Sequence, residues 1–216
     1  MKLSDFKIGT KLGAAFFFVV LMTAAAGGFA VVQLAKINAN TEDIATNWLP
    51  SVEVLSNIRI TTNRFRRAEG DHALSTDLKE MDVIEKQFVE LKKTLGEQQA
   101  IYEPMINSDE EKANYAQYKQ HRDAYFSSNE KLVSLSRNGE SMHEQTRTYF
   151  RGESRNAFNT MVEDLGHLVS INGKGASLSF KTSQTTYAQA RGWLISLVLG
   201  SIVIATLLAV WITRLI

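Results

Sequence analysis

A chain of 216 residues with 24 lysines and arginines against 23 aspartates and glutamates has a net charge of +1, which gives no reason for nucleic acid or an acidic polymer to bind. It contains no cysteine, so disulfides and thiolate metal centres are excluded. Two prolines and thirteen glycines, in a chain rich in Ala, Leu, Glu, Lys, Arg and Gln, favour helix throughout. The mean hydropathy of −0.13 hides a segregation, because apolar residues crowd the two ends and charges fill the middle.

The twenty-four residues from Leu12 to Ala35 carry no charge, and neither do the twenty-two from Gly192 to Thr213. A helix crosses the hydrocarbon layer with roughly 20 apolar residues, so both stretches reach the required length. Trp193 and Trp211 stand near the ends of the second, where indole rings favour the headgroup level. Lys2, Lys7 and Lys11 precede the first stretch and Lys36 alone stands close behind it, which keeps the N-terminus inside and exports the charged middle of the chain. The competing reading of the first stretch is a cleaved signal peptide ending near Thr23–Gly28, but the apolar run exceeds the roughly 7–15 residues of a signal core. The expected organisation is a cytoplasmic N-terminus at 1–11, a transmembrane helix at 12–35 and an external domain at 36–190. A second transmembrane helix at 191–213 and the start of a truncated cytoplasmic region at 214–216 complete it.

Residues 36–190 hold 19 basic and 22 acidic side chains, a mildly acidic domain. A 3-4 spacing runs Leu34, Ile37, Thr41, Ile44, Trp48, Ser51, Leu55, Ile58, Thr62, Phe65, in phase with the first apolar stretch, so one continuous helix is expected, kinked or locally broken at Pro50. Ser75-Thr76-Asp77 forms a turn with good N-cap residues, and Leu78, Met81, Ile84, Phe88, Leu91, Leu95 restart the pattern until Pro104. Ser108 with Glu111 reads as a capping box opening a third helix that carries Tyr115, Tyr118, Tyr125, Leu132 and Leu135 and stops near Asn138-Gly139. A short amphipathic piece at Met142–Phe150 precedes a fourth helix, expected from about Ser154, with Phe158, Met161, Leu165, Leu168 and Asn172 in register. The two outer helices each hold nearly forty external residues, a rise of roughly 57 Å, and the two inner ones are shorter. The expected fold is all-α, an up-down-up-down four-helix bundle between two transmembrane helices. The small, polar run from Asn172 to Ser177 reads either as a weak, mobile helix or as a place where a neighbouring helix comes close.

Arg59, Arg64, Arg66 and Arg67 fall within nine residues of the first helix, with Glu69 alone nearby to offset them. Guanidinium forks match carboxylates in two-point contacts, so the cluster points to a small anionic ligand, an organic di- or tricarboxylate or an amino acid; the alternative is a solvated face or intra-bundle ion pairs. At about 100° per residue, Arg59, Asn63 and Arg66 flank the core stripe, Arg67 lies further round, and Arg64 points away. Counting from the apolar stretches places Arg155, Asn159 and Thr160 of the fourth helix at a comparable height. Tyr115, Tyr118, His121, Arg122 and Tyr125 of the third helix are candidate walls, although tyrosines at helical spacing more often belong to the core.

The order of several short motifs resembles the N-terminal half of methyl-accepting chemotaxis proteins. These are Phe6–Leu12 before the first apolar stretch, Leu49-Pro50, Asn63–Glu69, Phe150–Glu153, Ala157-Phe158 and the surroundings of Asn172. The resemblance covers all 216 residues. It implies a homodimeric periplasmic four-helix sensor in the inner membrane, passing a piston-like helix shift to a missing cytoplasmic region that serves a chemotaxis kinase and adaptor. It also implies ligand contacts from first-helix arginines of both subunits. Aspartate-type receptors space three arginines by five and four; Arg59 and Arg64 match the first interval, and Ala68 occupies the third position.

No catalytic pattern is present. His72, His121, His143 and His167 share no metal-binding spacing, and no nucleophile elbow, phosphate loop or dinucleotide glycine motif occurs, so no enzyme, metal or cofactor is expected. Two other assignments stay open: the sensor half of a histidine kinase or cyclase with a similar bundle, and a dimerising membrane scaffold that senses nothing.

Overall fold

The computed structural model describes residues 7–214, and the described residues form no strand. Phe6 of the opening motif, with the remainder of 1–6 and residues 215–216, lies outside them. Four long helices follow in order: α1 (Ile8–Leu74), α2 (Leu78–Tyr102), α3 (Asp109–Arg137) and α4 (His143–Arg214). The protein is an all-α helical bundle.

The local chemistry of each boundary is visible. Asp77 caps α2 by accepting from the Lys79 amide at 2.8 Å, and Ser108 caps α3 by accepting from the Glu111 amide at 3.1 Å. Pro104 sits in a 3₁₀ turn, Glu103–Met105, that ends α2. Gly139, at φ +76°, takes the left-handed conformation that stops α3.

Pro50 does not break α1. Lacking an amide hydrogen, it cannot donate to the carbonyl one turn back, and the backbone resets through a π-helical turn at Ile44–Trp48 before Leu49–Leu74 continues. The α2–α3 connection buttresses that turn. Asn47 donates to the Met105 carbonyl at 2.8 Å and accepts from Asn107 at 3.0 Å. The fourth helix begins eleven residues earlier than Ser154. The piece at Met142–Phe150 is its first turns, joined to the rest by a second π-helical turn at Phe150–Ser154.

Two compact bodies share these helices. One, Ala45–Ala176, is the bundle. Its core follows the registers read from the sequence: Leu55, Ile58 and Phe65 from α1, Ile84, Phe88 and Leu95 from α2, Tyr115, Tyr118 and Tyr125 from α3, Met161, Leu165 and Leu168 from α4. Phe65 links the layers, with ring centroids 4.8 Å from Phe88 and 5.7 Å from Tyr125. Near the Ala45 and Ala176 limits of this body, the Trp48 ring lies where a Cβ on Gly175 would sit, 2.6 Å from its nearest atom. The run from Asn172 to Ser177 is helical, and of its two glycines Gly175 serves close approach while Gly173 meets nothing within 4 Å.

The second body comprises the chain up to Ile44 and from Ser177 onward. Ala14, Ala15 and Phe18 of its first helical segment and Ile204, Leu208 and Ile212 of its second line one apolar cavity of about 520 Å³. Their outer faces present Phe16, Phe17, Val20, Val31, Leu199, Ile202, Val203 and Leu207, all more than half exposed. Both segments are long and apolar enough to cross a membrane.

Candidate functional site

The arginine-rich turn of α1 divides into two chemistries. Arg66 turns inward: its guanidinium donates to Glu69 Oε2 at 2.7 Å, to Ser154 Oγ at 2.6 Å and to the Phe150 carbonyl at 2.8 Å, and it stacks 3.8 Å above the Phe150 ring. Glu69 is fully buried, and it accepts further bonds from Tyr125 at 2.6 Å and Ser154 at 2.8 Å. A buried carboxylate is tolerable only when charge-paired and fully hydrogen-bonded, which this one is. The cluster ties α1 and α3 to the π-helical turn of α4, and the Phe150 ring also covers Gly70, 3.3 Å from where its Cβ would be. Burial, then the Glu69 charge, pushes the Tyr125 phenol well above its ordinary range.

Arg59, Asn63, Arg64 and Arg67 point outward and are exposed, as are Arg155, Asn159 and Thr160 of α4. The structure brings Arg59 and Asn159 together. They share an open depression of about 550 Å³ with Val162, Glu163, Gly166 and His167. The helices run antiparallel here: Arg66 meets Phe150 and Ser154, while Arg59, two turns along α1, faces Asn159–His167. Glu163, Gly166 and His167 were absent from the sequence expectation. The signal that could have found them is their spacing with Asn159 and Val162, every third or fourth residue along one helix face.

Tyr118 and Tyr125 are fully buried inside the bundle, where they hold helices together. Tyr118 accepts from Gln99 at 2.8 Å, and its phenol is pushed up to about 12, chiefly by burial. Gln99 in turn accepts from Arg122 at 2.6 Å, and His121 pairs with Asp164 at 2.6 Å across α3 and α4. Tyr115 is buried beside Glu103, to which it donates at 3.1 Å. A second buried polar cluster, not expected from sequence, joins Glu111 to Tyr102 at 2.5 Å and to Asn172 at 2.7 Å. Glu111 thus spends its carboxylate on the core, and the amide it reaches back to is that of Asn107, at 3.1 Å. No group of three or more metal-ligating side chains occurs among the described residues.

An all-helical bundle whose outer helices continue into apolar segments has the architecture of a signal-sensing module. Residues 5–187 match the family described as the four helix bundle sensory module for signal transduction, and the chain belongs to that family. It is 22% identical over 207 residues to YvaQ of Bacillus subtilis (strain 168), named as a putative sensory transducer protein. The match takes in 96% of this chain and 36% of that relative, so the chain spans about a third of the relative's length.

Proposed function

We propose that the protein is the sensor part of a chemoreceptor, anchored in the bacterial inner membrane by 12–35 and 191–213, with the bundle on the periplasmic side. It acts as a homodimer and catalyses no reaction. A small anionic ligand, an organic di- or tricarboxylate or an amino acid, binds the outward face carrying Arg59, Asn63, Arg64 and Arg67 of α1 with Arg155, Asn159 and Thr160 of α4. Arg66, Tyr118 and Tyr125 support that face from within. Binding displaces a membrane-connected helix by an ångström or two, and a cytoplasmic region relays the change to a chemotaxis kinase and adaptor.

The observation that carries this reading is helical continuity. Both α1 and α4 pass from bundle residues into their apolar segments without a loop, which a small axial displacement requires. Arg64 and Arg67 support the ligand class, since neither makes a hydrogen bond or ion pair among the described residues, and two free guanidinium groups on one exposed helix face suit a carboxylate. The test is calorimetry on the full chain in detergent with succinate, malate, citrate and the common amino acids. Arg64→Ala and Arg67→Ala should each weaken the best ligand at least tenfold while helix content is unchanged. Undiminished affinity in both variants contradicts the assignment.

A further inference from the structure

The cavity between the two apolar segments is polar at one end only. Leu34 and Ala190 line another cavity further along the same two helices, so the segments run antiparallel, with Lys11 level with Trp211 and Phe18 level with Ile204. Thr10, Lys11 and Trp211 therefore stand together at the end nearer the chain termini, and every other lining side chain is apolar. From Thr10 to Phe18 the helix rises ~12 Å, most of the ~15 Å depth of one leaflet's hydrocarbon. The volume of about 520 Å³ lies within the ~300–1,000 Å³ of small-molecule sites.

A neighbouring cavity supplies the comparison. It shares Ala15, Leu208 and Ile212 with the first, holds about 220 Å³ and is lined by apolar side chains throughout. Lipid tails are as apolar as leucine, so such a surface has no preference among headgroups. The larger cavity differs in its rim. Lys11 is half-buried there, although a lysine beside a hydrocarbon layer gains by extending to water. Its ammonium has three donors, so it can take a phosphate oxygen in addition to its partner within the chain. Thr10 adds a hydroxyl, and Trp211 adds an indole, a ring that favours the headgroup level.

We infer that this cavity seats an anionic glycerophospholipid of the bilayer. One acyl chain lies between Ala14 and Leu208 and reaches Phe18 and Ile204, while the phosphate meets the Lys11 ammonium and the Thr10 hydroxyl. Basic pockets between membrane helices select anionic headgroups by this charge complementarity. Phosphatidylcholine, whose phosphate carries its own ammonium partner, is the weaker occupant. The inference rests on the membrane anchoring proposed above and is independent of what the bundle binds.

The experiment reconstitutes the full chain, with Trp48→Phe and Trp193→Phe so that Trp211 is the one emitter, in phosphatidylcholine vesicles. Phosphatidylglycerol or phosphatidylcholine, brominated near the head of one acyl chain, is added in equal amount. Brominated phosphatidylglycerol should quench Trp211 emission at least twofold more than brominated phosphatidylcholine. Lys11→Gln should abolish that difference. Ala14→Phe, which fills the cavity and leaves Lys11 in place, should abolish it too. Ala205→Leu in the neighbouring cavity and Lys7→Gln, which lines neither, should preserve it. Equal quenching by the two lipids, a difference that survives Lys11→Gln or Ala14→Phe, or one lost with Lys7→Gln or Ala205→Leu, overturns the lipid site and leaves the anchoring standing. A changed oligomeric state of Ala14→Phe in detergent, with the lipid difference intact, also overturns it and gives the cavity to a second copy of the chain. Absence of quenching by either lipid overturns the anchoring and the site together.

Discussion

Arg66 and Glu69, one turn apart on α1, form an ion pair of 2.7 Å whose carboxylate is fully buried, and the pair is closed from α4 by Ser154 and the Phe150 carbonyl. Four arginines lie within nine residues of α1, yet only Arg66 is built into the bundle in this way. Arg66→Ala would strand the Glu69 charge and should cost about 3–5 kcal/mol, the scale for breaking a buried pair from one side. Arg64→Ala and Arg67→Ala, at exposed positions, should stay within about 0.5 kcal/mol. Urea unfolding followed by circular dichroism separates the two outcomes.

Two glycines two residues apart on α4 should respond in opposite directions. Gly175→Ala would push a methyl group to within 2.6 Å of the Trp48 ring and should destabilise the bundle by about 1–3 kcal/mol, with a change in tryptophan emission. Gly173→Ala meets nothing within 4 Å and should stabilise it by about 0.5–1 kcal/mol through helix propensity. Thermal melts of the two variants check the sign of each.

The tip of the bundle should be acid-sensitive. Arg137 bonds Glu85 at 2.6 Å and also Asp82, and His72 faces Glu85 at 3.1 Å, so the Glu85 carboxyl is held below its ordinary value, first by its hydrogen bond to Arg137. A carboxyl depressed in the folded state stabilises above its unfolded value of about 4.3 and ceases to do so as the pH falls through the folded value. Melting temperature should therefore drop between about pH 5 and 3, and Glu85→Gln should flatten that part of the profile. An unaltered acid branch in the variant would remove this role from Glu85.

Buried phenols give a spectroscopic check on the core. Burial is the leading cause that raises the phenols of Tyr102, Tyr115, Tyr118 and Tyr125. Their ionisation near 295 nm should stay suppressed at pH 10–11 in the native protein and appear only on unfolding. Tyrosinate absorbance that reaches its full six-residue amplitude at pH 11 while helicity persists would contradict the packing.

Much of the fold was legible because a bundle core is written as periodicity. The 3-4 spacing of Leu55, Ile58 and Phe65, and of Met161, Leu165 and Leu168, names residues that are buried. What resisted reading was backbone irregularity. Pro50 and the junction between the Met142–Phe150 piece and Ser154 look like interruptions in one dimension, but each helix absorbs its misfit in a π-helical turn and continues, which moves the start of α4 back to His143. The site was half legible. Composition alone found the arginine cluster, but four like side chains at close spacing carry no mark of which one will be matched by a buried acid. Glu69 and Ser154, 85 residues apart, decide that for Arg66. Glu163 and His167 were missed for the opposite reason: in a chain this rich in charge, one Glu and one His on a helix signal nothing until the helix opposite brings Arg59 to face them.

The sensor account stands or falls on which side of a membrane each part of the chain lies. Because the protein has no cysteine, single substitutions report position cleanly: Thr76→Cys in the turn after α1, and Lys7→Cys before the first apolar segment. Treating intact cells with a membrane-impermeant maleimide should label Thr76→Cys at once and Lys7→Cys only after the inner membrane is opened. Labelling of Lys7→Cys in intact cells, or protection of Thr76→Cys there, would contradict an externally exposed bundle held between two transmembrane helices.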